Sequence, residues 1–214
     1  MAGRGKFITL EGGEGVGKST LARALVARLS ARGISVIQTR EPGGSPGAEA
    51  LRKLVLNPPQ ELPGWSPLVE ALLFYAARTD HLDKLIRPSL ASGAWVVCDR
   101  FSDSTRAYQA VAGGVTREEV ETLDRICVGG NVPDLTLILD LPLLTSRHRM
   151  TERATDADAI ESRGADYHER VRQAFLDIAK TNPQRCVVLD AAFEPNALTD
   201  AAMKAIDERL GGGA

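Results

Sequence analysis

Three cysteines, two tryptophans, a net charge near zero and no apolar run of about 18 residues exclude several common classes for this 214-residue chain. Cys98, Cys127 and Cys186 are odd in number and far apart, which argues against a disulfide framework and a metal cluster; two lie in apolar runs, where a thiol packs as a small hydrophobe. A reducing, cytoplasmic compartment fits them. His148 and His168 have no Cys/His set around them and do not read as metal ligands. The segment Met1-Ala2-Gly3-Arg4-Gly5-Lys6 lacks the apolar core of a secretion signal, so neither secretion nor membrane spanning is expected. The 26 Lys and Arg against 28 Asp and Glu give a net charge of −2, too weak a field to gather nucleic acid or an anionic membrane.

What is present begins at Phe7. The segment from Phe7 to Thr20 is an apolar strand running into G-x-x-x-x-G-K-S and then a helix with an apolar stripe at Leu21, Leu25, Val26 and Leu29. Such a loop turns its backbone N–H groups onto phosphate oxygens, so Gly12, Gly13, Glu14, Gly15, Val16, Gly17, Lys18, Ser19 and Thr20 form a candidate nucleotide-phosphate site. Lys18 is placed to reach the β/γ-phosphates and the Ser19 hydroxyl to ligate magnesium.

Further along, strand-like segments near 34–39, 95–98, 135–139 and 186–189 alternate with helical patterns at 47–56, 116–128, 143–150, 165–179 and 196–210. Ser66-Pro67 opens a long helical stretch to about Ala91, which Pro88 bends or interrupts, and Thr116 to Glu119 has the form of a capping box. Short apolar strands alternating with helices predict an α/β fold, a parallel sheet covered on both faces, in one domain over 1–214.

In such a sheet ligands bind beyond the carboxyl ends of the strands. Arg40, Asp99, Arg100 and Asp140 all fall there. Asp99 follows a buried strand and is suited to holding Ser19 or a magnesium-bound water; Arg40 and Arg100 are suited to a forked grip on phosphate. Asp140 reads equally as a cap before Pro142. Glu41-Pro42-Gly43-Gly44 is too poor in apolar residues for core and reads as a shaped loop near an acceptor phosphate. Phe74 and Arg78, four apart, share a helix face, where a ring can stack on a base and a guanidinium can donate to its exocyclic oxygen; core packing is the other reading of Phe74. Tyr108 and Gln109 add a ring and an amide close to Asp99 and Arg100. From Arg147 through Arg149 and Arg153 the chain is basic, then rich in Asp and Ala up to Gly164, a pattern suited to a cover over a nucleotide or to a solvated helix face.

These motifs together resemble thymidylate kinases: F-I-T-L-E-G-G-E-G-V-G-K-S-T at 7–20, T-R-E-P-G-G at 39–44, F-Y-A-A-R at 74–78, V-V-C-D-R-F at 96–101, S-T-R-A-Y-Q at 104–109 and P-D-L-T-L-I-L-D at 133–140. The resemblance implies a three-layer P-loop kinase fold with a mobile lid at about 147–164, Mg²⁺-ATP as donor, dTMP as acceptor and a homodimer. It further implies that Glu14 contacts the sugar 3′-hydroxyl, Phe74 stacks on thymine and Arg78 bonds a thymine carbonyl. Arg40 and Arg100 would hold the acceptor phosphate, Thr105 and Gln109 approach the base, and Tyr108 pack against the deoxyribose. Gly15 follows Glu14 where one branch of the family carries a catalytic arginine, so this chain resembles the bacterial branch whose arginines come from the lid. Arg153 is then the catalytic candidate beside Lys18, Arg100 and Asp99, with Arg149 and Arg147 behind it. Asp158-Ala159-Ile160-Glu161 lacks an arginine common in that lid, and Arg163 is the nearest substitute. Two rival readings remain: a kinase for another small acceptor, and a nucleotide-dependent switch, the latter without the N-K-x-D segment that reads guanine.

Overall fold

The computed structural model describes residues 3–59, 64–151 and 159–211, the side chains of Arg147, Met150 and Thr151 excepted. Five strands, β1 (Phe7–Glu11), β2 (Val36–Arg40), β3 (Trp95–Asp99), β4 (Leu135–Asp140) and β5 (Cys186–Asp190), form one parallel sheet in the order β2-β3-β1-β4-β5. After β1 the chain builds one half of the sheet, then crosses back to pair β4 against the other side of β1, so a switch point lies beyond the carboxyl end of β1.

Burial on both faces explains the continuous apolar runs of β1, β3 and β4. On one face Ile8, Leu10, Val97 and Leu137 pack against α1 (Lys18–Ala31) and α9 (Pro195–Leu210) through Leu25, Leu29, Met203 and Ile206. The other face carries Phe7, Val96 and Cys98 under α3 (Pro67–His81) and α6 (Arg117–Cys127), and Ile138 under α8 (Ala165–Thr181). The remaining helices are α2 (Pro46–Leu56), α4 (Arg87–Ala91), α5 (Ser102–Thr105) and α7 (Leu143–Thr151).

The predicted strands and the capping box stand, with Thr116 Oγ1 accepting from Glu119 N–H at 3.2 Å and the Glu119 carboxylate from Thr116 N–H at 2.9 Å. The long helix is interrupted: α3 passes into a π-helical turn, Leu82–Ile86, before α4. The Pro88 ring would collide with the carbonyl four residues back in a regular α-helix, and the widened turn ahead of it removes the collision. A second π-helical turn, Arg106–Val111, carries Tyr108 and Gln109; no periodicity in the sequence signals it. Among the described residues no helix is long and apolar enough to cross a membrane.

Candidate active site

The phosphate loop leaves β1 and enters α1 through Gly17, whose φ of 99° lies in the left-handed region and which offers no side chain to cap the helix. The first amides of α1 are thus left for an anion. Gly12 is pressed against β4, and a Cβ there would meet the Leu139 carbonyl oxygen at 2.4 Å. Lys18 folds back over the loop, its Nζ donating to the carbonyls of Gly13 at 2.6 Å and Gly12 at 3.2 Å. Burial, then the neighbouring Arg100 guanidinium, push its pKa down to about 8 against the pull of Glu14 and Asp99.

Register brings the next groups together. Asp99 ends β3 opposite Leu10 of β1 and Arg40 of β2, and its Oδ2 accepts from Ser19 Oγ at 2.6 Å. A hydroxyl and a carboxylate at the start of the phosphate-loop helix are an all-oxygen pair of the kind that suits Mg²⁺, so the residues fit that ion. Thr20 follows on the exposed side of α1, while Val16 is buried in the core and holds the loop to it.

Arg100 turns out of β3 with φ 71°, the left-handed region, its N–H donating to Leu10 O at 2.9 Å. That conformation costs about 1–2 kcal/mol outside glycine, and here it returns the guanidinium toward the loop. Nη1 donates to Gly12 O at 2.9 Å and Ser104 Oγ at 3.1 Å; Nη2 donates to Glu14 Oε1 at 2.6 Å and the Tyr108 hydroxyl oxygen at 3.0 Å. The Tyr108 hydroxyl donates in turn to Glu14 Oε1 at 3.0 Å. Burial alone would raise the pKa of Glu14, but Arg100 and then Lys18 hold it at about 2. Burial, outweighing Arg100, pushes the Tyr108 phenol well above its ordinary range.

Glu14, Arg100, Tyr108, Phe74 and Gln109 line one cavity with Arg52, Ser104 and Ile160. Its residues come from the phosphate loop, α2, α3, the turn after β3, α5, the second π turn and the segment after 158, so the fold alone assembles it. Arg78 and Thr105 lie behind this wall rather than on it. Arg78 Nε donates to Glu41 Oε2 at 2.7 Å and Nη2 to Thr105 Oγ1 at 3.1 Å, while the buried Nη1 has no hydrogen-bond partner. An orphaned guanidinium nitrogen at such depth fits an oxygen acceptor carried by a ligand.

Other predicted residues are placed differently. Arg40 is more than half exposed and grips Glu49, its Nη2 3.1 and 3.2 Å from the two carboxylate oxygens. Arg149 donates to the carbonyl of Ala191, just past β5, at 3.1 Å. Arg163 pairs with Glu70 and donates to the Tyr167 hydroxyl at 2.6 Å. Asp140 holds Arg172 through two bonds of 2.7 and 3.0 Å. Arg153 lies outside the described residues, as does the side chain of Arg147.

Several groups had no individual role in the sequence reading, Glu41 entering it only as part of the loop at 41–44. Glu11, at the end of β1, is fully buried, accepting from Phe101 N–H at 2.8 Å and Ser104 Oγ at 2.6 Å. Burial, then Asp103, raise its pKa. Glu41 is buried between Arg78 and His81, and His81 also contacts Thr39 Oγ1 at 2.7 Å. Glu70 on α3 accepts from Gln109 Nε2 at 2.7 Å. A carboxylate closing an otherwise apolar, fully buried strand was a signal at Glu11; Glu70 gave none, because its partners lie 39 and 93 residues away.

A family model described as thymidylate kinase matches residues 10–202. The thymidylate kinase of Caulobacter vibrioides is 51% identical over 208 residues, covering 97% of this chain and 99% of that protein. The one from Rhizorhabdus wittichii is 47% identical over 207 residues, covering 96% and 99%. Among solved structures, thymidylate kinase from Ehrlichia chaffeensis superposes with a TM-score of 0.76 at 33% identity, over 95% of this chain and 99% of that one.

Proposed function

Because the chain belongs to the thymidylate kinase family and is accordingly a kinase moving a phosphoryl group from ATP to dTMP to give dTDP and ADP, we propose that its transfer site is the junction of Lys18, Arg100 and Glu14 at the end of β1. The observation that carries this assignment is the adjacency of the phosphate loop, with Lys18 and the Ser19–Asp99 pair, to the cavity that Glu14, Arg100, Phe74 and Gln109 line.

Lys18 and the amides of residues 13–20 hold the β/γ-phosphates of the donor, and Arg149 of α7, bonded to the carbonyl just past β5, approaches the donor nucleotide. Ser19, with Asp99 behind it, holds Mg²⁺, which when bound neutralises phosphate charge. Arg100 leaves Glu14 to grip the acceptor phosphate and keep it in line, while Arg40 adds charge from the rim. Phe74 stacks on thymine and Gln109 approaches its edge, while Thr105, expected at the same edge, acts from behind the wall by holding Arg78 Nη2, leaving Arg78 Nη1 as a donor to a ring carbonyl. Tyr108 packs against deoxyribose and Glu14 meets the 3′-hydroxyl. Arg153, which lies outside the described residues, is the catalytic arginine that stabilises charge on the transferring group. A phosphate monoester oxygen is already a competent nucleophile, so no strong general base is required.

The whole of 1–214 is one kinase domain with its lid at about 147–164. Leu68 and Leu72, exposed and four apart on α3, and Ile126, exposed on the adjacent α6, support a homodimer through that face. The free thiols of Cys98, Cys127 and Cys186 support a reducing, cytoplasmic setting, and the net charge of −2 supports a role independent of nucleic acid.

ADP release from Mg²⁺-ATP, measured with dTMP, dUMP, dCMP, dGMP and dAMP and without acceptor, tests the assignment. Turnover concentrated on dTMP is expected, with Arg153→Ala lowering kcat far more than acceptor affinity. Acceptor-independent hydrolysis would instead indicate a switch, and equal activity of Arg153→Ala would remove it from the catalytic set.

A further inference from the structure

Gln109 and the end of the lid segment share one buried carboxylate. Glu70, on α3 one turn before Phe74, is 5% exposed; its Oε1 accepts from Gln109 Nε2 at 2.7 Å and its Oε2 pairs with Arg163 Nη2. Arg163 follows Ile160 and Glu161 and is held a second time, by Nη1 on the Tyr167 hydroxyl at 2.6 Å. Its guanidinium carbon also lies 4.7 Å over the Tyr167 ring. The Tyr167 hydroxyl donates onward to the Tyr108 carbonyl at 2.9 Å, so the chain of contacts returns to the wall of the acceptor cavity.

A primary amide presents two different faces, an acceptor and a pair of donors, and rotation by half a turn exchanges them. An ionised carboxylate accepts only. Glu70 offers Oε1 to Gln109 while Oε2 is engaged by the Arg163 guanidinium, so Gln109 meets this carboxylate through its NH₂. The amide oxygen is thereby the end left for a ligand in the cavity that Gln109 lines.

We propose that Glu70 is a positioning residue for base selection: it fixes the sense of the Gln109 amide so that an acceptor meets the ring N3 of the substrate base, and Arg163 locks that setting from the end of the lid. This rests on the assignment of the cavity to the thymine base. Thymine carries a proton on N3 and a carbonyl at C4, complementary to the Gln109 oxygen and to the Arg78 Nη1 that has no hydrogen-bond partner behind the wall. Cytosine carries an unprotonated N3 and an amino group at C4, so both contacts become repulsive. Exclusion of dCMP therefore depends on a carboxylate that does not itself line the acceptor cavity.

Two substitutions separate orientation from mere structure. Glu70→Gln keeps size but can accept or donate, which frees Gln109 to turn over; Glu70→Asp is shorter but still only accepts. Steady-state kinetics with saturating Mg²⁺-ATP should show that Glu70→Gln raises KM for dTMP with little change in kcat, because a base contact is made alike in the ground and transition states. The ratio of kcat/KM for dTMP over dCMP should fall about tenfold, the upper end of the scale of one hydrogen bond between neutral groups. Glu70→Asp should retain that ratio even where its affinity drops. An unchanged ratio in Glu70→Gln, or the same loss in both variants, overturns the proposal. Should Glu70→Gln fail to fold, Arg163→Met, which unpins the carboxylate, should lower the ratio in smaller measure, and an unchanged ratio there overturns the proposal equally. Failure of the underlying cavity assignment has its own signature: unaltered KM and ratio in Phe74→Ala, whatever happens at Glu70.

Discussion

Lys18 illustrates how a charged group waits in a loop built for a ligand. Two carbonyls and a nearby guanidinium surround it, and its pKa of about 8 lies below the 10.5 of a free lysine. Between those two values the folded protein binds fewer protons at this site than the unfolded chain, so the destabilisation Lys18 imposes at neutral pH fades as pH rises through that window. Phosphate oxygens at Nζ favour the charged form. ATP binding at about pH 9 should consequently draw in a fraction of a proton, read from calorimetric enthalpies in buffers of different ionisation heat. Lys18→Arg, which stays charged, should abolish that uptake; wild-type binding without proton uptake would contradict the depressed pKa.

At the scale of elements, the loop between β2 and α2 is held by the groups it covers. Gly44 has φ 87°, and a Cβ there would lie 2.3 Å from His81 Nε2 and 2.4 Å from Thr39 Oγ1, inside the cluster that also fixes Glu41 and Arg78. Gly44→Ala should cost about 2 kcal/mol or more, through left-handed strain and displacement of buried polar partners. It should lower Tm by several degrees and raise KM for dTMP through Arg78, whereas unchanged thermal unfolding would show that the cluster yields easily. Much of this architecture is legible locally. Trp95 to Cys98 is apolar because both sheet faces are covered, and the Thr116 box appears in the sequence because it spans only four residues. The same local view extends to the phosphate loop, Asp99 and Arg100. It does not reach the π turns, which arise where Pro88 and the cavity wall meet tertiary packing, nor Glu11, Glu41 and Glu70, whose meaning lies in partners far along the chain.

For the molecule as a whole, sheet order divides the labour. β2 and β3 lead into the cavity side, β4 and β5 into the side where Asp140 and the Ala191 carbonyl lie, and the loop after β1 stands between them. The apolar face of α3 turned away from this sheet carries the proposed homodimer, so Leu72→Glu should give a monomer in sedimentation velocity while leaving the fold intact; a monomeric wild type would overturn that proposal. Arg100 carries a consequence for turnover. Its guanidinium already has four protein acceptors, Gly12, Ser104, Glu14 and Tyr108. In the role proposed for Arg100, an incoming phosphate replaces an internal anion instead of meeting a bare charge, and a departing one leaves no bare charge behind. The grip on the acceptor is the difference between two comparable embraces, which trades tightness for easy release and suits an enzyme that must let its product go.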